Sequence, residues 1–221
     1  MKFRHEFKHK INMSDLVILR SRLSKIAKHD EHCDEDGTYY IKSLYFDNYA
    51  DKALREKSDG VNCREKFRIR YYGTDTSFIR LEKKSKINGL CNKVSSPITK
   101  EQCERLINGD KSFLLESDNE LFHELYAKMT YQLLRPKTIV GYRRECFVHP
   151  LGNVRVTLDT DIAGSGKIHD FLSPDLKLLQ LYHTAILEVK WDEYLPRLIE
   201  DAVQVHCRSA SAFSKYAAVR F

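Results

Sequence analysis

Between Lys66 and Lys86 the chain reads KFRIRYYGTDTSFIRLEKKSK, two alternating segments on either side of Gly73-Thr74-Asp75. Such a pattern predicts a β-hairpin. Side chains alternate between the faces of a strand, so Arg68, Arg70 and Tyr72 share one face, and Arg80, Glu82, Lys84 and Lys86 share that of the partner strand. Phe67, Ile69, Tyr71, Ile79 and Leu81 occupy the other face. A solvated face does not need so many long cations around a single carboxylate. Guanidinium forks and ammonium groups at strand spacing suit phosphate oxygens, so this face is expected to line a cavity that holds a polyanion.

Other segments repeat the theme. Tyr142 and Arg144 alternate with Gly141 and Arg143, while Arg155, Thr157 and Asp159 alternate with Val154, Val156 and Leu158. In ILEVK, Ile186, Glu188 and Lys190 share a face. At least five segments thus carry basic residues with an isolated acid among them, and closing such strands into a barrel would bring the charges to one lumen. A glutamate among cations is a candidate ligand for Mg²⁺ or Mn²⁺, hard ions that favour carboxylate and phosphate oxygens.

The elements that must position these residues can be read around them. Phe3 to Lys8, Thr38 to Phe46, Gly89 to Ile98, Lys137 to Val148, Asn153 to Ile162 and Thr184 to Trp191 read as further strands. His149-Pro150-Leu151-Gly152 reads as a second hairpin connection. Helical spacing runs from Ser14, taken as its cap, to Lys28, and recurs over Thr99–Ile107, Ser117–Leu134, Leu195–Cys207 and Ala212–Val219, with a short turn over Tyr49–Lys57. No repeat or linker divides the 221 residues, so one domain over residues 1–221 is expected, of α+β class.

Composition sets the outer bounds. Lysine and arginine total 37 against 31 acids, an excess compatible with an anionic ligand without naming it. The cations alternate with apolar residues and form no aromatic-interleaved surface, which argues against nucleic acid. No run approaches the ~20 apolar residues of a membrane span, and the opening MKFRHEFKHK lacks a signal-peptide core. Six cysteines stand singly, as expected of reduced thiols in a cytoplasmic protein.

The ordered set RHEFKHK (4–10), SLYFDN (43–48), KFRIRYY (66–72), RLEKKSK (80–86), Lys93, YRRECF (142–147), VRVTLDTD (154–161), ILEVK (186–190) and FSKY (213–216) resembles the polyphosphate polymerase domain of the vacuolar transporter chaperone family. That family lies within the triphosphate tunnel metalloenzymes, and the resemblance spans nearly the whole chain. It implies an antiparallel eight-stranded tunnel barrel with peripheral helices. It further implies transfer of the γ-phosphoryl group of ATP to a growing polyphosphate chain, with Mn²⁺ or Mg²⁺. Lys8, Arg68, Arg70, Lys84, Lys93, Arg144 and Lys215 match its phosphate-binding basic positions, Tyr142 and Ser214 its polar phosphate contacts, and Glu188 its metal-binding glutamate. Arg155 and Lys190 join the substrate-binding candidates from their strand faces.

Two departures bear on this. The family commonly has a basic residue where this chain has Ala212. Related triphosphatases and cyclases open with Glu-x-Glu-x-Lys, and Arg4 replaces the first acid here. Glu6 is then either a second metal ligand or a partner for Arg4, and the change favours the polymerase branch. A tunnel triphosphatase and a non-catalytic polyphosphate-binding module remain the alternatives. The family's eukaryotic members carry membrane parts that this sequence lacks, so a channel for the product would be a separate protein. Lys83 and Arg143 are expected to point away from the lumen. Glu82 is expected to orient Lys84 or an arginine, and Asp159 is read as either a tunnel acid or a strand-end residue.

Overall fold

The computed structural model describes residues 4–88, 90–182, 184–205 and 213–220. Its strands are β1 (His5–Ile11), β2 (Lys28–His29), β3 (Thr38–Asp47), β4 (Arg64–Tyr72), β5 (Asp75–Ile87), β6 (Leu90–Ile98), β7 (Arg135–His149), β8 (Val154–Ser165), β9 (Leu179–Tyr182) and β10 (Ala185–Trp191). Eight of them form one curled antiparallel sheet in the order β1-β10-β8-β7-β3-β4-β5-β6, with β2 and β9 attached beside β7 and β8. The two edge strands meet at an isolated bridge between Arg4 and Cys91, the one backbone link across that seam among the described residues.

Alternation divides the sheet as the sequence pattern predicts. Phe67, Ile69, Tyr71, Ile79 and Leu81 face outward into an apolar cluster beneath α3 (Lys100–Ile107) and α4 (Glu120–Tyr131), against Leu106, Phe122 and Leu125. Val156, Leu158, Leu187 and Val189 pack outward beneath α1 (Met13–Leu23) and α5 (Arg197–Ala202), against Leu16, Leu19, Leu23 and Ile199. Burying these outward faces removes apolar surface at about 25 cal/mol per Å², which gives the sheet a reason to curl with its charged side inward. The concave side is partly apolar too, where Tyr216 and Val219 of the C-terminal segment meet Ile41, Val140 and Ile186.

Several boundaries differ from the sequence reading. Asn12, not Ser14, caps α1, through a reciprocal pair in which Asn12 Oδ1 accepts from the Asp15 amide at 2.7 Å and the Asp15 carboxylate accepts from the Asn12 amide at 3.1 Å. The turn expected over Tyr49–Lys57 is α2 (Lys52–Ser58), whose first amides at Ala53 and Leu54 are taken by the buried carboxylate of Asp47. α5 is shorter than the expected Leu195–Cys207. The C-terminal helix is α6 (Lys215–Ala218), capped by Ser214. Ala212 lies outside the described residues. No helix among them is long and apolar enough to cross a membrane.

Candidate active site

Strand register brings the inward residues into contact. Across β4 and β5, Arg68 sits opposite Glu82 and Lys66 opposite Lys84; across β1 and β10, Lys8 sits opposite Glu188 and Glu6 opposite Lys190. Arg144 of β7 lies opposite Asp159 of β8. The cations are then tied to three acidic centres.

Glu82, which is 2 % exposed, is the first. Its Oε2 accepts from Arg68 Nε at 2.7 Å and lies 3.9 Å from Arg70 Nη1, while its Oε1 accepts from Lys93 Nζ at 3.3 Å. Burial alone would raise its pKa, but Arg68, Arg70 and Lys93 hold it far below the carboxylate range. Glu82 therefore orients two arginines and Lys93, whereas Lys84 takes Glu6 as its partner.

Asp159 is the second. It is fully buried, accepts both Arg144 bonds at 2.6 and 2.8 Å, and lies 2.5 Å from Lys215 Nζ. Both open readings of this residue are thereby decided, since it is a tunnel acid that holds two cations. Burial works against its ionisation, and Arg144 and Lys215 more than offset that, so its pKa is lowered.

Glu6 and Glu188 form the third. Lys8 Nζ is 2.7 Å from Glu6 and 3.8 Å from Glu188; Lys190 pairs with both, and Glu188 also lies 3.8 Å from Arg144. Burial opposes the charge on Glu188, yet Lys190, Lys8, Arg144 and Lys215 hold its pKa well below the usual range. Glu6 is lowered in the same balance of burial against Lys8, Lys84 and Lys190. Arg4 is not its partner: Arg4 Nε pairs with Asp192 at 2.8 Å, on the turn beyond β10.

Among the described residues there is no group of three or more Asp, Glu, His or Cys side chains suited to a metal. The two ionised carboxylates of Glu6 and Glu188, both within 4 Å of the Lys8 ammonium, are hard oxygen donors of the kind a divalent cation takes.

Polar groups complete the wall. Arg70 donates from Nη2 to the Tyr142 hydroxyl at 3.0 Å and from Nε to Ser43 Oγ at 3.2 Å, which leaves the Tyr142 proton for a further acceptor. Lys215 and Arg144 also lie over the Tyr142 ring, at 4.6 and 5.4 Å. Ser214 Oγ is 3.4 Å from Lys66 Nζ. Arg155 is set apart, bound to Asp30 and to the Tyr39 hydroxyl, each at 3.0 Å.

Two inward residues escaped the sequence reading. Tyr45 accepts from Arg68 Nη1 at 3.0 Å and stacks on Tyr216 at 5.2 Å. Burial would raise its pKa, yet Arg68, Lys66 and Arg70 bring it down to about 7. Lys66 precedes Arg68 by two positions, so the alternation that selected Arg68 and Arg70 also selects it. The same alternation places Tyr45 beside Ser43. Lys83 points outward as expected, but it is engaged by Glu65 at 3.1 Å and by Glu124 of α4, so it braces the outer layer.

A cavity of about 300 Å³ opens at one end of this tunnel, lined by Glu6, Lys8, Lys66, Lys84, Lys86 and Ser214 among others. Residues 3–220 match the sequence model of the VTC domain. The chain belongs to the VTC domain family. In overall structure this VTC domain is similar to a Hippeastrum protein described as an adenylyl cyclase with a dominant triphosphatase activity, at TM-score 0.58 and 13 % identity over 98 % of this chain and 94 % of that one. It is also similar to a protein from Pyrococcus horikoshii, at TM-score 0.53 and 13 % identity over 98 % and 99 % of the two chains. At such identity the likeness establishes the triphosphate-tunnel fold of the VTC domain. No curated protein sequence matches the chain.

Proposed function

We propose that this VTC domain is a metal-dependent polyphosphate polymerase that transfers the γ-phosphoryl group of ATP to the end of an inorganic polyphosphate chain. The observation that carries this reading is the convergence of Lys8, Arg68, Arg70, Lys84 and Arg144 on one concave face beside two ionised carboxylates. Phosphoryl transfer requires alignment of donor and acceptor and neutralisation of the equatorial oxygens, and it needs no protein nucleophile. Arg68, Arg70, Arg144, Lys8 and Lys84 supply that charge, with Lys93, Lys190, Lys215, Tyr142 and Ser214 contacting flanking phosphates. Arg155, held by Asp30 and Tyr39, is assigned to the same chain at the margin of the tunnel.

The acceptor's terminal phosphate oxygen forms a bond to the γ-phosphorus while the bond from that phosphorus to the β–γ bridging oxygen breaks, releasing ADP. The acceptor oxygen is already deprotonated near neutral pH, so no general base is required. Glu188 and Glu6 would hold a Mn²⁺ or Mg²⁺ ion, which when bound would draw charge from the phosphates. Each cation exchanges its carboxylate for a phosphate oxygen as the substrate enters.

A tunnel triphosphatase is the second reading, favoured by the triphosphatase activity named for the Hippeastrum protein. The ion pair of Arg4 with Asp192 argues against it, because the acid that such enzymes place there is absent. The deciding experiment incubates the protein with ATP and Mn²⁺ or Mg²⁺ and follows ADP, orthophosphate and acid-stable polyphosphate. A polyphosphate ladder with matching ADP is expected. Orthophosphate without a ladder replaces this reading with the triphosphatase, and binding without turnover replaces it with a polyphosphate-binding module.

A further inference from the structure

We propose that Lys66 is a phosphate-anchoring residue of the tunnel, the ammonium that an entering polyanion engages without first displacing a carboxylate. The inference rests on the polyanion chemistry proposed above and names one further residue that performs it. Among the described residues, Lys8, Arg68, Arg70, Lys84, Lys93, Arg144, Lys190 and Lys215 each have a carboxylate within 4 Å. No carboxylate among those residues pairs with Lys66. Its nitrogen meets Ser214 Oγ at 3.4 Å and stands 6.0 Å from the Tyr45 ring centroid. Directly across the ladder is another cation, Lys84.

Such an arrangement disfavours the empty protein. Like charges opposite one another on adjacent strands repel, and a desolvated ammonium without a counter-ion is costly to keep charged. The groups around it are mostly cationic: Lys8 from β1, Arg64 and Arg68 from β4, Lys84 and Lys86 from β5, and Lys57 from α2 at the cavity wall. Against these stand Glu6, already shared among three lysines, the Tyr45 hydroxyl, and Glu65, which is taken by Lys83 and Lys128. Burial, only partly offset by Tyr45, together with Lys84, Lys8 and Arg68 lowers its pKa to about 8. A phosphate oxygen in the 300 Å³ cavity would supply the close anionic partner that no carboxylate gives Lys66 and that Tyr45 offers only in part.

A lysine that merely braces the wall behaves differently on substitution. Bracing cations stabilise the protein, whereas an uncompensated one weakens it. The test measures binding of tripolyphosphate by calorimetry in EDTA at pH 8, alongside thermal melting, for the wild type, Lys66→Met and Lys66→Arg. We expect Lys66→Met to bind about ten-fold more weakly, the scale of one charge-assisted hydrogen bond, and to melt no lower than the wild type. Lys66→Arg should restore most of the affinity. Repeating the titration in two buffers of different ionisation enthalpy should show proton uptake on binding that is smaller in both variants.

Unchanged affinity in Lys66→Met overturns the assignment. So does a loss of affinity matched by a lower melting temperature that arginine does not repair, since that is a structural role. A wild type that binds no tripolyphosphate overturns the polyanion reading of the tunnel along with it. Because binding is read without turnover, failure to form polyphosphate leaves this test standing on its own.

Discussion

Replacing Asp159 by asparagine tests whether the acids of this tunnel hold its cations in place. The substitution keeps the shape of the side chain and removes its charge. In the native protein the carboxylate accepts two bonds from Arg144 and a third contact from Lys215, with no exposure to water. The amide can accept at its oxygen but turns an NH₂ group toward one of the cations. Removing one partner of a buried ion pair costs about 3–5 kcal/mol, because the remaining charge is left without compensation. For a protein of this size each kcal/mol lowers the melting temperature by about 2–4 °C, so the expected loss is roughly 6–20 °C.

Two controls sharpen the measurement. The Asp159 carboxyl has its pKa lowered in the folded state, so its stabilisation is present above the unfolded value and is lost as pH falls through the folded one. The gap between wild type and variant should therefore close in acid. Tripolyphosphate should narrow it at neutral pH, since Arg144 and Lys215 are then free to take phosphate; a ligand at 100 times its dissociation constant contributes about 2.7 kcal/mol. A variant that melts within a degree or two of the wild type at pH 7 refutes the argument that Asp159 compensates these cations.

Other residues give independent checks. Glu188→Gln should keep the fold and abolish metal-dependent turnover; a fully active variant removes Glu188 from the site. Arg68→Ala should weaken tripolyphosphate binding by about ten-fold or more, while Arg143→Ala, on the outward face with Asp36, should change it little; equal losses would mean the strand faces are misassigned. Tyr45 should show phenolate absorbance rising near pH 7, and Tyr45→Phe should remove that transition; a titration confined to pH 10 and above contradicts the cluster of Arg68, Lys66 and Arg70 around it. Gly164→Ala should destabilise the C-terminal helix by about 1–3 kcal/mol in denaturant unfolding, because the new methyl group would sit 2.6 Å from Val219 Cβ, and an unchanged midpoint would mean that α6 shifts freely.

What could be read from the sequence was whatever strand alternation carries. The inner and outer faces of β4 and β5 follow from KFRIRYY and RLEKKSK, and the same rule places Glu188 and Lys190 together. Lys66 and Tyr45 obey that rule too, since Lys66 stands two positions before Arg68 and Tyr45 two after Ser43, though neither stands out by residue type alone. Which acid meets which cation was not legible, because Asp159 with Lys215 and Arg4 with Asp192 are joined only by the tertiary path of the chain. The outward role of Lys83 was likewise incomplete, since α4 descends on that face from elsewhere in the sequence. β2 and β9 are too short for alternation to register and form on β7 and β8 as templates. The cap of α1 could have been found, because Asn12 and Asp15 stand at the spacing of a reciprocal capping pair.

The seam between β1 and β6 gives this sheet an elasticity that a continuously bonded cylinder lacks. Seven ladders fix the spacing of the charged rows around the rest of the wall, while the gap is spanned by the backbone bridge at Arg4 and Cys91 and by side chains such as Lys84 reaching Glu6. Widening the bore would part that seam first and leave those ladders intact. The tunnel is mechanically a split ring, stiff along its length and compliant across its diameter.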